Sequence, residues 1–434
     1  MKRKSLLNKK KTYFLGGFCG AALLIVAYVV TPGVFSVEYQ AGELGAAVAL
    51  GVGADENGLT VTHIRTPEPL KAIYMTQCVV GTKDFRQRLV EIADTTEINS
   101  ILIDIKDFSG KIAFKPEDSG SQHFADLLEA YKAADCGAGD MKEFISYLHG
   151  KGIYVIGRIT VFQDPFMTSR YPERAVKSRA TGGVWKDFKG LSFIDVGAKE
   201  HWDYIVELSK QSYAIGFDEL NFDYIRYPSD GNMKDTAFML PTGKQKSEML
   251  TEFFAYLHDA LKPTGVVLSA DLFGMTTTSR DDLNIGQVLE KALPYFDYIA
   301  PMVYPSHYPK GFNGYTNPND NVYGVIHFAM KGAVDRVKTF YNLVPPPVPV
   351  VSAGATSTSS SFAPAVPAWK APSSETVAKH IQKLRPWIQD FDYGGNYDIA
   401  EVQAQIKATY DVGLTSWMIW SPSNKYTVGA LKGE

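Results

Sequence analysis

Hydrophobic and polar positions alternate with a period of two in eight short stretches of the chain. These are 71–76, 100–107, 153–162, 217–224, 265–274, 297–305, 385–391 and 415–420. Such alternation predicts strands with one face turned to a core. Between them the period becomes helical, over 83–98, 140–150, 198–213, 244–261, 285–293, 321–343, 375–384 and 400–412. Asp140 is placed to cap its helix and Gly150 to stop it. Eight βα units predict a (β/α)8 TIM barrel, an α/β fold. An open doubly wound sheet has the same order of elements and is the alternative. After the eighth strand only residues 421–434 remain, so the last helix is short or missing. The segment before Lys71 is expected to cover that gap.

In a closed barrel the period of two assigns each strand an inward face. In chain order the inward pairs are Tyr74 and Thr76, Asp104 and Lys106, Arg158 and Thr160, and Asn221 and Asp223. Ser269 and Asp271, Met302 and Tyr304, Trp387 and Gln389, and Met418 and Trp420 complete the set. The opposite faces are mostly Ile, Val, Leu, Ala and Phe, as a helix-covered side requires. Taken singly, most of these polar groups read better as satisfied structural groups. Together they predict a ligand pocket at one rim. The fourth strand, in "FDELNFDYIRYP", carries the strongest signal. Glu219, Asn221 and Asp223 share one face, which an apolar core would not tolerate. The turn Pro228-Ser229-Asp230-Gly231 closes the strand, so Asp223 falls near its carboxyl end, where barrels keep their chemistry.

The amino terminus has a different pattern. Six positive residues between Lys2 and Lys11 precede "TYFLGGFCGAALLIVAYVV", an apolar run without a charge that Pro32 and Gly33 end. Its length approaches the roughly 20 residues that span a bilayer. Residues 1–33 therefore read as a cytoplasmic basic stub and an uncleaved transmembrane signal-anchor, with a cleaved signal peptide as the rival. Residues 34–69 read as a connector, and 70–434 as the barrel, placed outside the cytoplasm. A Pro/Ser-rich insertion at 344–374 interrupts the barrel pattern.

Charge and cysteines narrow the function. The formal charge is −3, and removing the six amino-terminal positives leaves −9 on the rest, which argues against nucleic acid as a partner. Beyond the apolar run only Cys78 and Cys136 remain. Export would permit one disulfide between them, but two buried free thiols are the expectation. The eight histidines show no metal-ligand spacing, so neither a metal nor another cofactor is expected.

"FDELNFDYIRYP" with "LSADLFG", "YIAPMVYPSHY", "RPWIQDF" and "SWMIWSPSNKY" resembles the glycoside-hydrolase-like family catalogued as domain of unknown function 4015. The resemblance covers roughly residues 70 to 426 and implies a glycosidase TIM barrel related to the alpha-amylase type. In that type the nucleophile is an Asp ending strand four, matched by Asp223. The acid is a Glu ending strand five, where this chain has Asp271, one methylene shorter. The fourth strand is also similar to the chitinase pattern D-x-x-D-x-D-x-E. Asp218 and Asp223 match two of its acids, but Asn221 replaces the second and Ile225 stands at the catalytic Glu. The resemblance thus implies a hydrolase of an extracellular or cell-envelope polysaccharide, with catalytic Asp223 and Asp271. Asp104, Arg158, Asn221, Tyr304, Gln389 and Trp420 are the candidate substrate-binding residues, and Asp104 is the reserve carboxylate. The other function class is a membrane-tethered barrel that only binds glycans.

Overall fold

The eight alternating stretches form eight parallel strands. They are β1 (Lys71–Met75), β2 (Ser100–Lys106), β3 (Tyr154–Thr160), β4 (Glu219–Asp223), β5 (Val267–Phe273), β6 (Tyr298–Met302), β7 (Trp387–Gln389) and β8 (Trp417–Trp420). Each bonds to its sequence neighbours and β8 bonds to β1, so the sheet closes into a barrel and the open sheet is excluded. The computed structural model describes residues 60–346 and 369–433. The expected anchor at 1–33, the connector up to residue 59 and most of the Pro/Ser-rich insertion lie outside these residues. Among the described residues no helix is long and apolar enough to cross a membrane.

The two strand faces sort as the alternation requires. Ala72, Tyr74, Leu102, Ile156, Trp387 and Met418 pack together inside the barrel. Ile73, Ile101, Val155, Leu220, Ala270 and Ile419 point outward and join the helix layer in one continuous core. The polar face of β4 is accommodated in two ways. Glu219, at its amino end, is buried at the barrel base and accepts from Arg385 Nη1 at 2.9 Å and from the Tyr154 hydroxyl at 3.1 Å. Losing one partner of such a buried pair costs about 3–5 kcal/mol. Asn221 and Asp223, nearer the carboxyl end, face the opposite mouth.

The described part of the connector, from residue 60, is held at the barrel base. The Ile64 N–H donates to Asp218 Oδ1 at 2.8 Å, and Thr66 Oγ1 lies 3.0 Å from the Tyr154 hydroxyl. Residues 64–66 therefore dock beneath β3 and β4. The end of the chain packs beside β1 and the loop before β2. Asn424 Nδ2 donates to the Tyr74 carbonyl at 2.9 Å, and the Glu97 N–H donates to the Lys432 carbonyl at 2.9 Å.

Lys106 also departs from the simple alternation. The β2–β3 register shifts between Asp104 and Lys106, so Lys106 pairs with the outward-facing Ile159. Its ammonium is fully buried and meets Asp164 Oδ2 at 2.8 Å and the Thr160 carbonyl at 2.6 Å. Lys106 thus braces the loops and does not reach the mouth. Asp164 in turn caps the helix Pro165–Arg170 through the Met167 N–H. The turn after β2 packs its backbone onto this cap at Gly110, whose φ is +85°. A Cβ there would lie 2.0 Å from Asp164 Oδ1. Gly110→Ala is expected to cost about 2–3 kcal/mol, read as a lowered urea midpoint.

Two features were absent from the sequence expectation. A helix at Phe124–Lys132 follows β2. An arm between β3 and β4 carries Lys177–Ser178, which pairs antiparallel with Thr236–Ala237, and is stiffened by packing of Val176, Trp185 and Phe193. Cys78 and Cys136 form a disulfide with a Cα–Cα distance of 4.9 Å, which corrects the expectation of free thiols. The fold brings their two loops together, and Gln77 Nε2 donates to the Cys136 carbonyl at 2.9 Å beside the bridge. A spacing of 58 residues carries no such information.

Candidate active site

The carboxyl ends of β2, β3, β4 and β5 converge on one guanidinium. Arg158 Nη1 donates to Asp104 Oδ1 at 2.6 Å, and Nη2 donates to Asp223 Oδ2 at 2.5 Å. Arg158 Nε lies 3.8 Å from Asp271 Oδ2. The register explains the convergence. Asp104 is paired with Arg158 across β2 and β3, Thr160 with Asp223 across β3 and β4, and Phe222 with Ala270 across β4 and β5. Asp223 and Asp271 are therefore level on adjacent strands. Because both reach one small planar cation, their separation falls within the roughly 9.5 Å upper limit of a glycosidase pair.

Each carboxyl has its own surroundings. Asp223 Oδ1 accepts the Tyr224 N–H at 2.5 Å, so both its oxygens hold donors. Asp104 Oδ2 accepts a short hydrogen bond from the Tyr74 hydroxyl. Burial raises the Asp104 pKa, against the opposing pull of Arg158 and of that hydrogen bond. Asp271 Oδ1 accepts from two nitrogens, Asn221 Nδ2 at 3.0 Å and Trp387 Nε1 at 2.7 Å. Burial pushes the Asp271 carboxyl well above the usual carboxylate range. The neighbouring Asp223 charge raises it further, and Arg158 pulls it back.

These groups open into a cleft of about 600 Å³, lined by Arg158, Asp223, Asp271, Tyr304, Trp387 and Trp420 among others. The Trp420 ring lies 5.0 Å from Tyr304 and 5.1 Å from Phe391, forming an aromatic wall. A second hollow of about 530 Å³ adjoins the cleft and shares Tyr74, Arg158, Lys189, Tyr224, Asp230 and Trp420 with it.

Of the residues expected from the sequence, Asp104, Arg158, Asp223, Asp271, Tyr304 and Trp420 line one hollow or the other. Asn221 is fully buried beneath them and reaches the site only through Asp271 and Ser269. Gln389 does not reach the cleft, which corrects its assignment. It is fully buried, accepts from the Ser306 hydroxyl at 2.8 Å and donates to the Phe391 carbonyl at 2.9 Å. The side chain of β7 that does reach is Trp387, which the same alternation had turned inward. Tyr224 was missed for a different reason. Its φ of +50° breaks the strand at that residue and brings the ring into the cleft. Lys189 and Asp230, from the arm and the turn after β4, carried no sequence signal. Among the described residues no group of three or more His, Cys, Asp and Glu side chains is placed to hold a metal.

Residues 72–365 and 366–426 match the model of the family DUF4015, described as "Putative glycosyl hydrolase domain". No curated protein matches the chain. Among solved structures, the chain is similar to a hypothetical protein from Ruminiclostridium thermocellum, at 34% identity and a TM-score of 0.40, over 49% of this chain and 98% of that one. It is also similar to the PgaB (BpsB) glycoside hydrolase domain from Bordetella bronchiseptica, at 12% identity and a TM-score of 0.49, over 82% and 94%. The catalytic domain of a hyperthermophilic chitinase from Pyrococcus furiosus is similar at 11% identity and a TM-score of 0.42, over 82% and 85%.

Proposed function

Because the chain belongs to the glycosyl hydrolase family DUF4015, we propose that it cleaves glycosidic bonds of an extracellular or cell-envelope polysaccharide with Asp223 and Asp271. The observation that carries this reading is the unequal pair of carboxyls on adjacent strands around Arg158. Glycoside cleavage needs one carboxylate and one carboxylic acid flanking the bond. Asp271 fits the acid. Its Oδ1 is occupied by two N–H donors, so the proton belongs on Oδ2. Asp223 fits the nucleophile, held in place by Arg158 and the Tyr224 N–H.

In the first step an Asp223 oxygen forms a bond to the anomeric carbon. The bond to the leaving oxygen breaks, and that oxygen takes the Asp271 proton. In the second step Asp271 removes a proton from water, whose oxygen displaces Asp223 and regenerates both groups. Arg158 fixes the carboxylate, and Asn221 and Trp387 orient the acid. Trp420 offers a face for stacking a sugar ring, and the Tyr304 hydroxyl lies near both catalytic carboxylates, whose charges raise its pKa after burial does. Asp104, bound by Tyr74 and Arg158, is assigned to holding Arg158 and sugar hydroxyls.

Residues 1–33 are proposed as a membrane anchor and 34–69 as a connector, with the barrel outside the cytoplasm. The basic run before the apolar stretch supports this topology, and so does the Cys78–Cys136 disulfide, which suits an oxidising compartment. A hydrolysis and glycan-array screen on the full chain tests the reading. Release of reducing ends from a polysaccharide is expected. Binding without turnover would favour the tethered glycan-binding barrel.

A further inference from the structure

We propose that the second hollow is a separate saccharide subsite, in which Phe108 is the platform for sugar units of a polymer bound across both hollows. The inference rests on the hydrolase reading above. Three observations carry it.

The first is continuity. The two hollows share Tyr74, Arg158, Lys189, Tyr224, Asp230 and Trp420 at their junction. Asp223 and Asp271 line the first and Asp104 lines the second, with Arg158 binding across the boundary. Each hollow falls in the range of roughly 300–1,000 Å³ that takes a ligand by itself. A glycan filling both would place the bond to be cut inside its length and not at its end.

The second is the placement of Phe108. Phe108 lines the second hollow yet remains 54% exposed. The loop that carries it is fixed. Ser109 donates to Asp107 through its backbone N–H, and the Gly110 N–H closes the turn onto the Asp107 carbonyl. Gln163 Nε2 reaches the Phe108 carbonyl at 3.4 Å, and Gly110 seats against Asp164, which the buried Lys106 neutralises. A bulge in β2, a buried ion pair and a left-handed glycine thus hold one half-exposed aromatic ring at the edge of a hollow. A stray surface phenylalanine would need none of this.

The third is the chemistry facing it. Leu191, from the arm, lines the same hollow, as do the carboxylates of Asp107 and Asp187. Among the described residues Asp107 accepts from Ser109, and Asp187 from the Lys189 and Leu191 N–H groups, through Oδ1, which leaves Oδ2 of each to accept from a ligand. Flat apolar faces with acceptors at their edge match a sugar ring, whose C–H face stacks while its hydroxyls donate.

The test uses the full chain with malto-, cello- and chito-oligosaccharides graded from dimer to hexamer. For whichever series is cut, kcat/KM is expected to climb with length beyond the dimer. In Phe108→Ala the KM for the hexamer is expected to rise about tenfold with little change in kcat, which lowers the hexamer-to-dimer ratio. Phe108→Trp should restore that ratio. An unchanged length dependence in Phe108→Ala would overturn the proposal and leave the hydrolase reading intact. If the unmutated chain cuts none of the series, these glycans are not its substrates and the hydrolase reading rests on the wider polysaccharide screen. Calorimetric affinity for the hexamers then decides the subsite. Weaker binding by Phe108→Ala supports it, and equal or absent binding overturns it.

Discussion

Asp223→Asn is expected to lower kcat by at least about a thousandfold on any glycan the chain cleaves, with a far smaller change in KM. The amide cannot supply the oxygen that bonds the anomeric carbon, whereas substrate contacts elsewhere in the cleft are untouched. The fold should survive, because the Asn oxygen replaces one of the two carboxylate acceptors, toward either Arg158 or the Tyr224 N–H, and only one of these two bonds is lost. Arg158 also keeps its bond to Asp104 at 2.6 Å. Steady-state kinetics and a thermal melt on the same preparation check both points. A variant that keeps its activity would remove Asp223 from the nucleophile role and leave Asp104 as the carboxylate to examine.

Asp271→Asn is expected to lower kcat by about 10²–10⁴-fold on glycosides with poor leaving groups. The loss should shrink on a dinitrophenyl glycoside, whose leaving oxygen departs without a proton. The alkaline limb of the pH–rate profile should disappear with the acid. Stability should move the other way. Burial raises the folded-state pKa of Asp271 above its unfolded value. Its favourable contribution is therefore fully present below the unfolded pKa, about 3.9, and is lost as pH rises through the folded pKa. Asn has no charge to desolvate and can still accept from Asn221 and Trp387. The melting temperature of Asp271→Asn relative to the unmutated chain should accordingly increase as pH rises from 4 toward 8. A gain in stability with a loss of turnover is the usual mark of a strained catalytic group.

Much of the barrel was legible because strand alternation is a local property. All eight strands appear near their expected ranges, and the inward faces of β3, β4 and β5 delivered Arg158, Asp223 and Asp271 to one point. The failures occur where a non-local interaction overrides alternation. Gln389 ends a three-residue strand and is captured by Ser306 from the loop after β6. Lys106 is turned outward by a bulge and by Asp164, 58 positions away in the chain. Tyr224 leaves the strand through a positive φ that no residue pattern announced. Phe108 and the arm depend on contacts among loops, and the disulfide depends on where two loops meet. Apart from Tyr224, whose backbone turns locally, the deciding partner lies far away in sequence.

The most direct test of the central claim is a ¹³C titration of the aspartate carboxyls in the unmutated chain, in Asp271→Asn and in Asp223→Asn. One carboxyl should keep its proton well above the ordinary carboxylate range, vanish from the spectrum in Asp271→Asn and titrate lower once the Asp223 charge is gone. An Asp271 that titrates like a solvent-exposed aspartate, or that ignores the loss of Asp223, would contradict a cleaving pair split into acid and carboxylate.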